Sequence, residues 1–376
     1  MPRLPYRATA ADGRVVEDFV DAVSAREAVE QLQARGLSQV QLLEEPALAE
    51  QHDQAAADTV PLPDIARLHA AMTRPGSGLL TVWKQVLRGA RWWLAFGLLL
   101  VLFGLFKANG FFTLLGAAML VLPFALSGLS WRHVARYEAF LRASAHGRRA
   151  EMQRLASLLR GAVKDAGLQF DLAVHEAGFV AREQGLDAAL AMVEPHRDAV
   201  AQRAPEMFNA RVALLHLAAD DAEGFVRLMQ QACEDSGRDP SRALDAALAH
   251  ARCGDPAQAR ALLDGVDTRL LPALAESFHA WTCGVLARHE DGDGREAFSR
   301  ALAGFSEHAR LPAVWSAVAT CGCDAALELA RHGQHAAAHE LLATVWPVAR
   351  IHLDTATRQA LASTFPDGPM PPASDS

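Results

Sequence analysis

The sequence is poor in lysine and in cysteine. The first shortage argues against nucleic-acid binding, and the second against a disulfide-stabilised fold. Only Lys84, Lys107 and Lys164 are lysines, and 44 acidic residues outnumber the 36 basic ones, for a net charge of −8. Nucleic-acid-binding proteins carry a basic surface, so we expect no nucleic-acid partner. The five cysteines all lie in the C-terminal half, and their number is odd. We therefore expect reduced thiols in a cytoplasmic domain, not a disulfide framework.

The motifs of several common enzyme classes are missing from the sequence. No glycine-rich loop ends in Lys-Ser or Lys-Thr, which excludes the usual phosphate-binding loop. Gly76-Ser77-Gly78 is too short for a nucleophile elbow and does not follow a predicted strand. His175-Glu176 and His339-Glu340 begin like a zinc-protease motif, but Phe179 and Ala343 stand where the second histidine is required. The sequence predicts no catalytic residue, no bound cofactor and no enzyme activity.

One cluster of cysteines and histidines has the residue types of a metal site. Cys321 and Cys323 are followed by His332, His335 and His339. His335 and His339 are four residues apart on one helix face and form the candidate ligand pair. Zinc sites place two or more residues between paired cysteines, whereas a single residue separates Cys321 from Cys323. We expect buried cysteines, exposed histidines and no bound metal.

The longest apolar stretch runs from Trp92 to Trp131 and is interrupted only by Lys107-Ala-Asn-Gly110. This pattern predicts a transmembrane hairpin over residues 91–131, in which each of two helices crosses a bilayer. The alternative is a helical hairpin buried inside a soluble core. Neither span contains an ionisable group, which argues against a transport path or intramembrane catalysis. Small residues that would let the two helices approach closely are Gly97, Gly104, Gly116 and Ala117.

Basic residues flank the apolar stretch on both sides and set its predicted orientation. They are Lys84, Arg88 and Arg91 before it, and Arg132, Arg136, Arg142, Arg148 and Arg149 after it. The connection between the spans carries only Lys107, so both termini are expected in the cytoplasm. The prevalence of arginine and alanine is typical of a high-GC bacterium, and no signal peptide opens the chain. We expect a two-pass protein of the bacterial inner membrane.

Residues 1–45 predict a small β-β-α-β docking module. Two strands flank the turn Ala11-Asp12-Gly13, and a third strand covers residues 37–43. Between them, Ser24 and Glu27 form a capping box for a short helix that ends before Gly36. Residues 46–90 follow as a polar linker and a basic amphipathic helix, which suits a position on the membrane surface.

The N-terminal module resembles the N-terminal segment of the inner-membrane platform protein of type II secretion and type IV pilus machines. The matching residues are Tyr6, Ala8, Asp12-Gly13, Ala22, Ser24, Glu27-Ala28, Leu32 and Gly36-Leu37. The resemblance implies a shared docking module at the cytoplasmic face. It covers only the first 45 residues, and the platform's two helical bundles and third span are not evident here.

Residues 132–364 predict an α-helical solenoid. Turn signals recur at Gln184-Gly185, Asp220-Asp221, Gly254-Asp255, Asp293-Gly294 and Gly333-Gln334. A period of about 34 to 40 residues with a short central turn is typical of stacked helix pairs. Alanines and leucines around these turns resemble degenerate tetratricopeptide repeats. Residues 365–376 are expected to form a disordered tail.

These features together predict a mainly α, membrane-anchored and non-catalytic scaffold for protein–protein interaction. Its repeat groove would hold a peptide or helix of another protein, through the first helix of each repeat, and it would assist a secretion or pilus apparatus. One alternative is a relative of a membrane protease, or another membrane enzyme, whose helical repeats bind the substrate. Another alternative is a regulator whose cysteines respond to redox state.

Overall fold

The structure, a computed structural model, describes residues 3–9, 15–21, 31–32, 34–35, 37–42, 65–73, 79–366 and 368. The chain divides into two compact units, Met1–Pro61 and Leu62–Ser376. The predicted linker over residues 46–64 lies outside the described residues, as does the predicted tail beyond Pro366 apart from Gly368.

The N-terminal unit contains a small antiparallel sheet. Its strands β1 (Arg3–Thr9), β2 (Val15–Asp21) and β3 (Ser38–Leu42) are hydrogen-bonded in the order β2-β1-β3. The prediction of a complete β-β-α-β module is wrong as it stands, because the described residues between β2 and β3 give no complete helix, and only Gln31, Leu32 and Ala34 are helical there. The start of that predicted helix falls on residues 22–30, outside the described residues.

The second unit is built from helices, which confirms the mainly α class. They are α1 (Ile65–Thr73), α2 (Leu79–Gly89), α3 (Arg91–Phe106), α4 (Gly110–Ala145), α5 (Arg149–Ala162), α6 (Ala166–Gln184), α7 (Leu186–Val193), α8 (Arg197–Ala201), α9 (Pro205–Ala218), α10 (Ala222–Asp235), α11 (Pro240–Arg252), α12 (Pro256–Asp264), α13 (Ala273–His289), α14 (Arg295–His308), α15 (Trp315–Arg331), α16 (His335–His352) and α17 (Thr355–Thr364). Short 3-10 turns cover Glu194–His196, Thr268–Leu270 and Pro312–Val314.

Helices α3 and α4 form a hairpin whose backbones approach closely at glycines. A Cβ added to Gly116 would lie 2.6 Å from the carbonyl oxygen of Gly97, and one on Gly104 would lie 2.5 Å from the amide nitrogen of Thr113. The predicted role of these three glycines is confirmed, whereas Ala117 is exposed and lies off the contact. The outer surface of the hairpin is apolar and exposed, at Trp92, Phe96, Leu99, Leu102, Leu105, Phe106, Phe111 and Leu114.

Two helical segments of the described chain are long and apolar enough to cross a membrane, judged by length and composition. Over its most apolar stretch Gly110–Ala145 is exposed, with only 6% of those residues buried, whereas the corresponding stretch of Pro312–Arg331 is 78% buried and belongs to the core of the helical body. The exposed segment is α4, a single helix that passes Trp131 without a break and enters the body. The predicted boundary at residue 131 therefore marks a change in polarity and not the end of a helix.

Consecutive helices pair in the described part of the body as α4/α5, α6/α7, α9/α10, α11/α12, α13/α14 and α15/α16. All five predicted turns lie between the two helices of a pair. Gly185, Gly254 and Gly333 adopt positive φ angles of 93°, 90° and 76°, which glycine reaches without steric cost after a helix end. The resemblance to tetratricopeptide repeats stays a prediction.

The first and last helix pairs of the body meet. His352 at the end of α16 places its Nε2 3.2 Å from the carbonyl oxygen of Ala145 at the end of α4. The backbone N–H of Thr355 donates to Asp220 in the α9–α10 turn over 2.9 Å. The segment after α16 therefore finds polar partners on distant helices, and the body is a closed superhelix.

Candidate binding cavity

A cavity of about 310 Å³ lies on the inner face of the closed superhelix. The first helix of each of the six pairs contributes residues to the cavity wall. The sequence analysis predicts these same helices as the lining of a binding groove. Apolar side chains cover much of the wall, among them Leu214, Leu248, Phe278 and Trp281. The volume is too small for a partner helix but matches a few side chains of an extended segment.

A polar network on the part of the cavity wall that α4 forms joins α4 to α6 and α9. The hydroxyl of Tyr137 donates to Oδ2 of Asp171, and Arg211 pairs with Oδ1 of the same carboxylate at 3.0 Å. The hydroxyl oxygen of Ser144 lies 3.0 Å from Nδ1 of His175. Burial lowers the pKa of His175, so its imidazole is neutral at pH 7.

Ser144, His175 and Asp171 are the residue types of a hydrolytic triad, but their geometry differs from one. Nε2 of His175 lies 3.8 Å from Asp171 Oδ2, which is longer than a hydrogen bond. In a triad the acid is hydrogen-bonded to the imidazole and orients it. Here Tyr137 and Arg211 hold the carboxylate instead. The arrangement joins helices and does not activate the serine.

Arg252 at the end of α11 is the centre of a second network. Its Nη2 lies 2.8 Å from Oδ2 of Asp354, and its Nε lies 3.5 Å from Oδ2 of Asp324. Its guanidinium also stands over the ring of Trp281, 5.7 Å from the centroid. The indole N–H of Trp281 donates to Asp324 over 2.9 Å. This cation is therefore fully compensated, and it ties the C-terminal segment to α11, α13 and α15.

Arg182 near the end of α6 differs from the other arginines of the cavity wall. Its Nη1 donates to the carbonyl oxygen of Gly178 in its own helix over 3.2 Å. Among the described residues, the carboxylates in this part of the chain pair with other arginines. None of them has an oxygen within 4.0 Å of the Arg182 guanidinium. Burial and the nearby Arg358 lower the pKa of Arg182, although Asp220 opposes this effect. Arg182 is thus a half-buried cation without an ionic partner.

The candidate ligand pair His335 and His339 is not part of any group of three or more potential metal ligands among the described residues. Both side chains are exposed, and the ring of His339 packs edge-on against Phe365 with 4.9 Å between centroids. Cys321 and Cys323 are buried in the core of the body, away from solvent. Phe365, which the sequence analysis placed in the tail, is itself buried.

A different trio has ligand atoms within 4.8 Å of one another: Asp293, Glu328 and His332. Glu328 accepts hydrogen bonds from the Gly294 amide at 2.9 Å and from Arg331 at 2.8 Å. Hydrogen bonds from Arg295 lower the pKa of Asp293 to about 2. Because arginines already neutralise both carboxylates, the trio is an ion-pair network at the α13–α14 turn and offers little to a cation.

All five thiols are poorly suited to a redox role. Burial raises the pKa values of Cys233, Cys253, Cys283, Cys321 and Cys323. Redox-responsive cysteines are exposed and have lowered pKa values, because the thiolate is the reactive form. The geometry therefore gives no support to the redox alternative.

Three arginines of the cavity wall carry no local signal in the sequence that marks them as site residues: Arg182, Arg211 and Arg252. On a helix of alternating polarity they are indistinguishable from solvated surface arginines. The one available signal is position, since each lies on the first helix of a pair.

Comparison of the chain with protein-family models, with curated proteins and with solved structures finds no match. The geometry of the hairpin and of the cavity therefore carries the functional interpretation.

Proposed function

We propose that this chain is a membrane-anchored, non-catalytic scaffold for protein–protein interaction on the cytoplasmic face of a bacterial inner membrane. The observation that carries the proposal is helix α4, which runs unbroken from the exposed apolar hairpin into the helical body. A continuous helix transmits position and orientation, so the body is fixed relative to whatever surrounds the hairpin.

The dimensions of α4 support a membrane crossing followed by a short rigid connection. Its 36 residues extend about 54 Å at the helical rise of 1.5 Å per residue. Residues 110–131 account for about 33 Å, close to the thickness of a bilayer core of about 30 Å. The remaining turns hold the body within about 20 Å of the interface.

Helix α3 is shorter, and its surroundings support the same crossing. Its 16 residues extend only about 24 Å. Helix α2 leads into it through the single residue Ala90, and Trp83 of α2 packs edge-on against Phe124 of α4. The α2–α3 segment therefore accompanies α4 over a greater length than α3 alone. The basic residues on either side favour a cytoplasmic body.

The cavity supports the binding part of the proposal. It is formed by side chains from all six helix pairs, and it combines apolar walls with a few polar groups, as ligand sites do. Tethering such a site at a membrane turns a weak contact with a membrane-bound partner into an effectively intramolecular one. The resemblance of residues 1–45 suggests assembly of a secretion or pilus apparatus as the process.

In vivo photo-crosslinking tests this proposal. The photoreactive amino acid p-benzoylphenylalanine replaces Leu214, a cavity-wall residue that is 40% exposed, or Leu311, which is 51% exposed and outside the cavity lining. The expected result is a discrete membrane-protein adduct at position 214, identifiable by mass spectrometry, and none at position 311. Absence of any adduct at several exposed positions of the membrane-bound chain would contradict a scaffold role.

A further inference from the structure

We propose that the inner cavity binds a peptide segment of the partner protein that presents a carboxylate beside an apolar side chain, with Arg182 as the contact for the carboxylate. This inference rests on the proposed scaffold function and names the chemistry of its ligand. It follows from the balance of charges around the cavity and from the character of its walls.

Every other charged side chain of the cavity wall has a partner. Arg211 pairs with Asp171 at 3.0 Å, and Arg252 pairs with Asp354 at 2.8 Å. Asp245, whose carboxyl has a pKa raised by burial, pairs with Arg242 at 2.9 Å. Arg182 alone among the described charges of the wall has only a backbone carbonyl as hydrogen-bond acceptor.

The immediate surroundings of Arg182 leave an excess of one positive charge. Arg358 and Asp220 are the charged groups whose electrostatic effect on the pKa of Arg182 is resolved, and they act in opposite directions. The carboxylate of Asp220 already accepts hydrogen bonds from the amide and the hydroxyl of Thr355, at 2.9 and 2.6 Å. Two cations thus face one anion. A single carboxylate restores neutrality, whereas a phosphate group, with nearly two charges, would overshoot it.

The geometry of the guanidinium also suits a carboxylate. Arginine presents parallel N–H donors that match the two oxygens of a carboxylate, and among the described residues Arg182 donates only from Nη1, to the carbonyl oxygen of Gly178 in its own helix. Its planar group also stands 6.0 Å from the centroid of Phe179. Beside it, Leu214, Leu248 and Phe278 offer an apolar wall for a neighbouring side chain.

The first test uses 3-phenylpropionate, the simplest molecule with both features, and the full chain in detergent micelles. Binding is measured by saturation-transfer NMR and by isothermal titration, against 3-phenylpropanamide and phenyl phosphate. We expect the carboxylate to bind at least tenfold more tightly than the amide, since a charge-assisted hydrogen bond is lost. Equal binding of the amide, or tighter binding of phenyl phosphate, would overturn the inference.

Variants assign the effect to the arginine. Arg182→Gln is expected to weaken 3-phenylpropionate binding tenfold or more, and Arg358→Gln, at an exposed position that does not threaten folding, about threefold. Arg350→Gln, at an exposed position outside the cavity lining, is the matched control and should leave binding unchanged. Unchanged binding in both Arg182→Gln and Arg358→Gln would refute the assignment.

The photo-crosslinking experiment separates this inference from the scaffold proposal. If Arg182→Gln abolishes the adduct at position 214 while the protein stays in the membrane, the scaffold proposal and the cavity inference are both supported. If adducts form at other surfaces but never at position 214, the scaffold stands and the cavity inference fails. If no adduct forms anywhere, the scaffold proposal fails, while the binding of 3-phenylpropionate still decides the chemistry of the cavity.

Discussion

Replacement of Arg252 by methionine should open the closed superhelix. Arg252 is 11% exposed and lies between Asp324, which is 2% exposed, and Asp354, which is 16% exposed. Its Nη2 also donates to the hydroxyl of Thr357 over 3.1 Å. Methionine keeps most of the side-chain volume, so the change removes the charge and the hydrogen bonds with little loss of packing.

The expected loss in the free energy of unfolding depends on which charged groups lose their partner. Breaking one side of a buried ion pair costs about 3–5 kcal/mol, because the other charge stays buried without compensation. Asp324 keeps Arg288 at 3.3 Å and the indole of Trp281 at 2.9 Å, so Asp354 bears most of the loss. We therefore expect the free energy of unfolding of the body to fall by about 3 kcal/mol, the lower end of that range.

The chain offers a matched control in Arg260, which pairs with Glu290 at 2.6 Å. These two side chains are 49% and 50% exposed, so the pair is screened by solvent. Arg260→Met should therefore lower the free energy of unfolding by less than about 1 kcal/mol. The two variants differ in burial of the ion pair and share the same chemical change.

Urea unfolding of the full chain in micelles, followed by tryptophan fluorescence, measures both variants. A double-mutant cycle with Asp354→Asn isolates the interaction that closes the body. A loss for Arg252→Met no larger than that for Arg260→Met would refute the reasoning, as would a coupling energy near zero between positions 252 and 354.

Three further predictions address the hairpin, the acid response and the thiols. Gly116→Val should lower the thermal unfolding midpoint in micelles by several degrees, because its Cβ meets backbone atoms at 2.6 and 2.7 Å, while Ala117→Val should leave the midpoint unchanged. Burial lowers the pKa of His352 to about 3 in the folded chain. Between pH 6.5 and 3, His352 therefore takes up a proton in the unfolded chain but not in the folded one. Stability to urea should accordingly fall by up to about 2 kcal/mol from pH 6.5 to pH 5, and His352→Gln should remove most of this loss. A maleimide should label the exposed Cys253 first, and Cys321 only in urea.

Features with strong local signals were predictable from the sequence. The turns at Gly185, Gly254 and Gly333 need a residue that tolerates positive φ, so a glycine at these positions predicts a turn. The helical hairpin was also predictable, because a long apolar stretch interrupted by a short polar turn is typical of two paired apolar helices. Its close contact at Gly116 followed from the rule that small residues let membrane helices approach.

Features that depend on distant contacts were not predictable in this way. Closure of the body joins Ala145 to His352, which are 207 residues apart, and no local pattern signals that contact. The predicted boundary between hairpin and body at residue 131 follows the onset of charge at Arg132, and nothing in the local sequence indicates that one helix, α4, crosses it. Charge marks the edge of an apolar environment, whereas helices end at caps and breakers.

The candidate site was harder to predict than the fold. Arg182 has the local sequence of an ordinary surface arginine, and only the packing of six helix pairs makes it the uncompensated cation of a cavity. Conversely, His335 and His339 have a suggestive spacing, but the fold leaves both exposed and, within the part of the chain that the structure describes, groups no third ligand with them.

Dual-reporter mapping of the hairpin tests the central claim most directly. Alkaline phosphatase, which is active only outside the cytoplasm, is inserted between Lys107 and Gly110, and a fluorescent protein that folds only in the cytoplasm follows residue 366. We expect active phosphatase, a fluorescent C-terminus and retention in the membrane pellet after carbonate extraction. An inactive phosphatase in the connection, or release of the chain by carbonate, would contradict it.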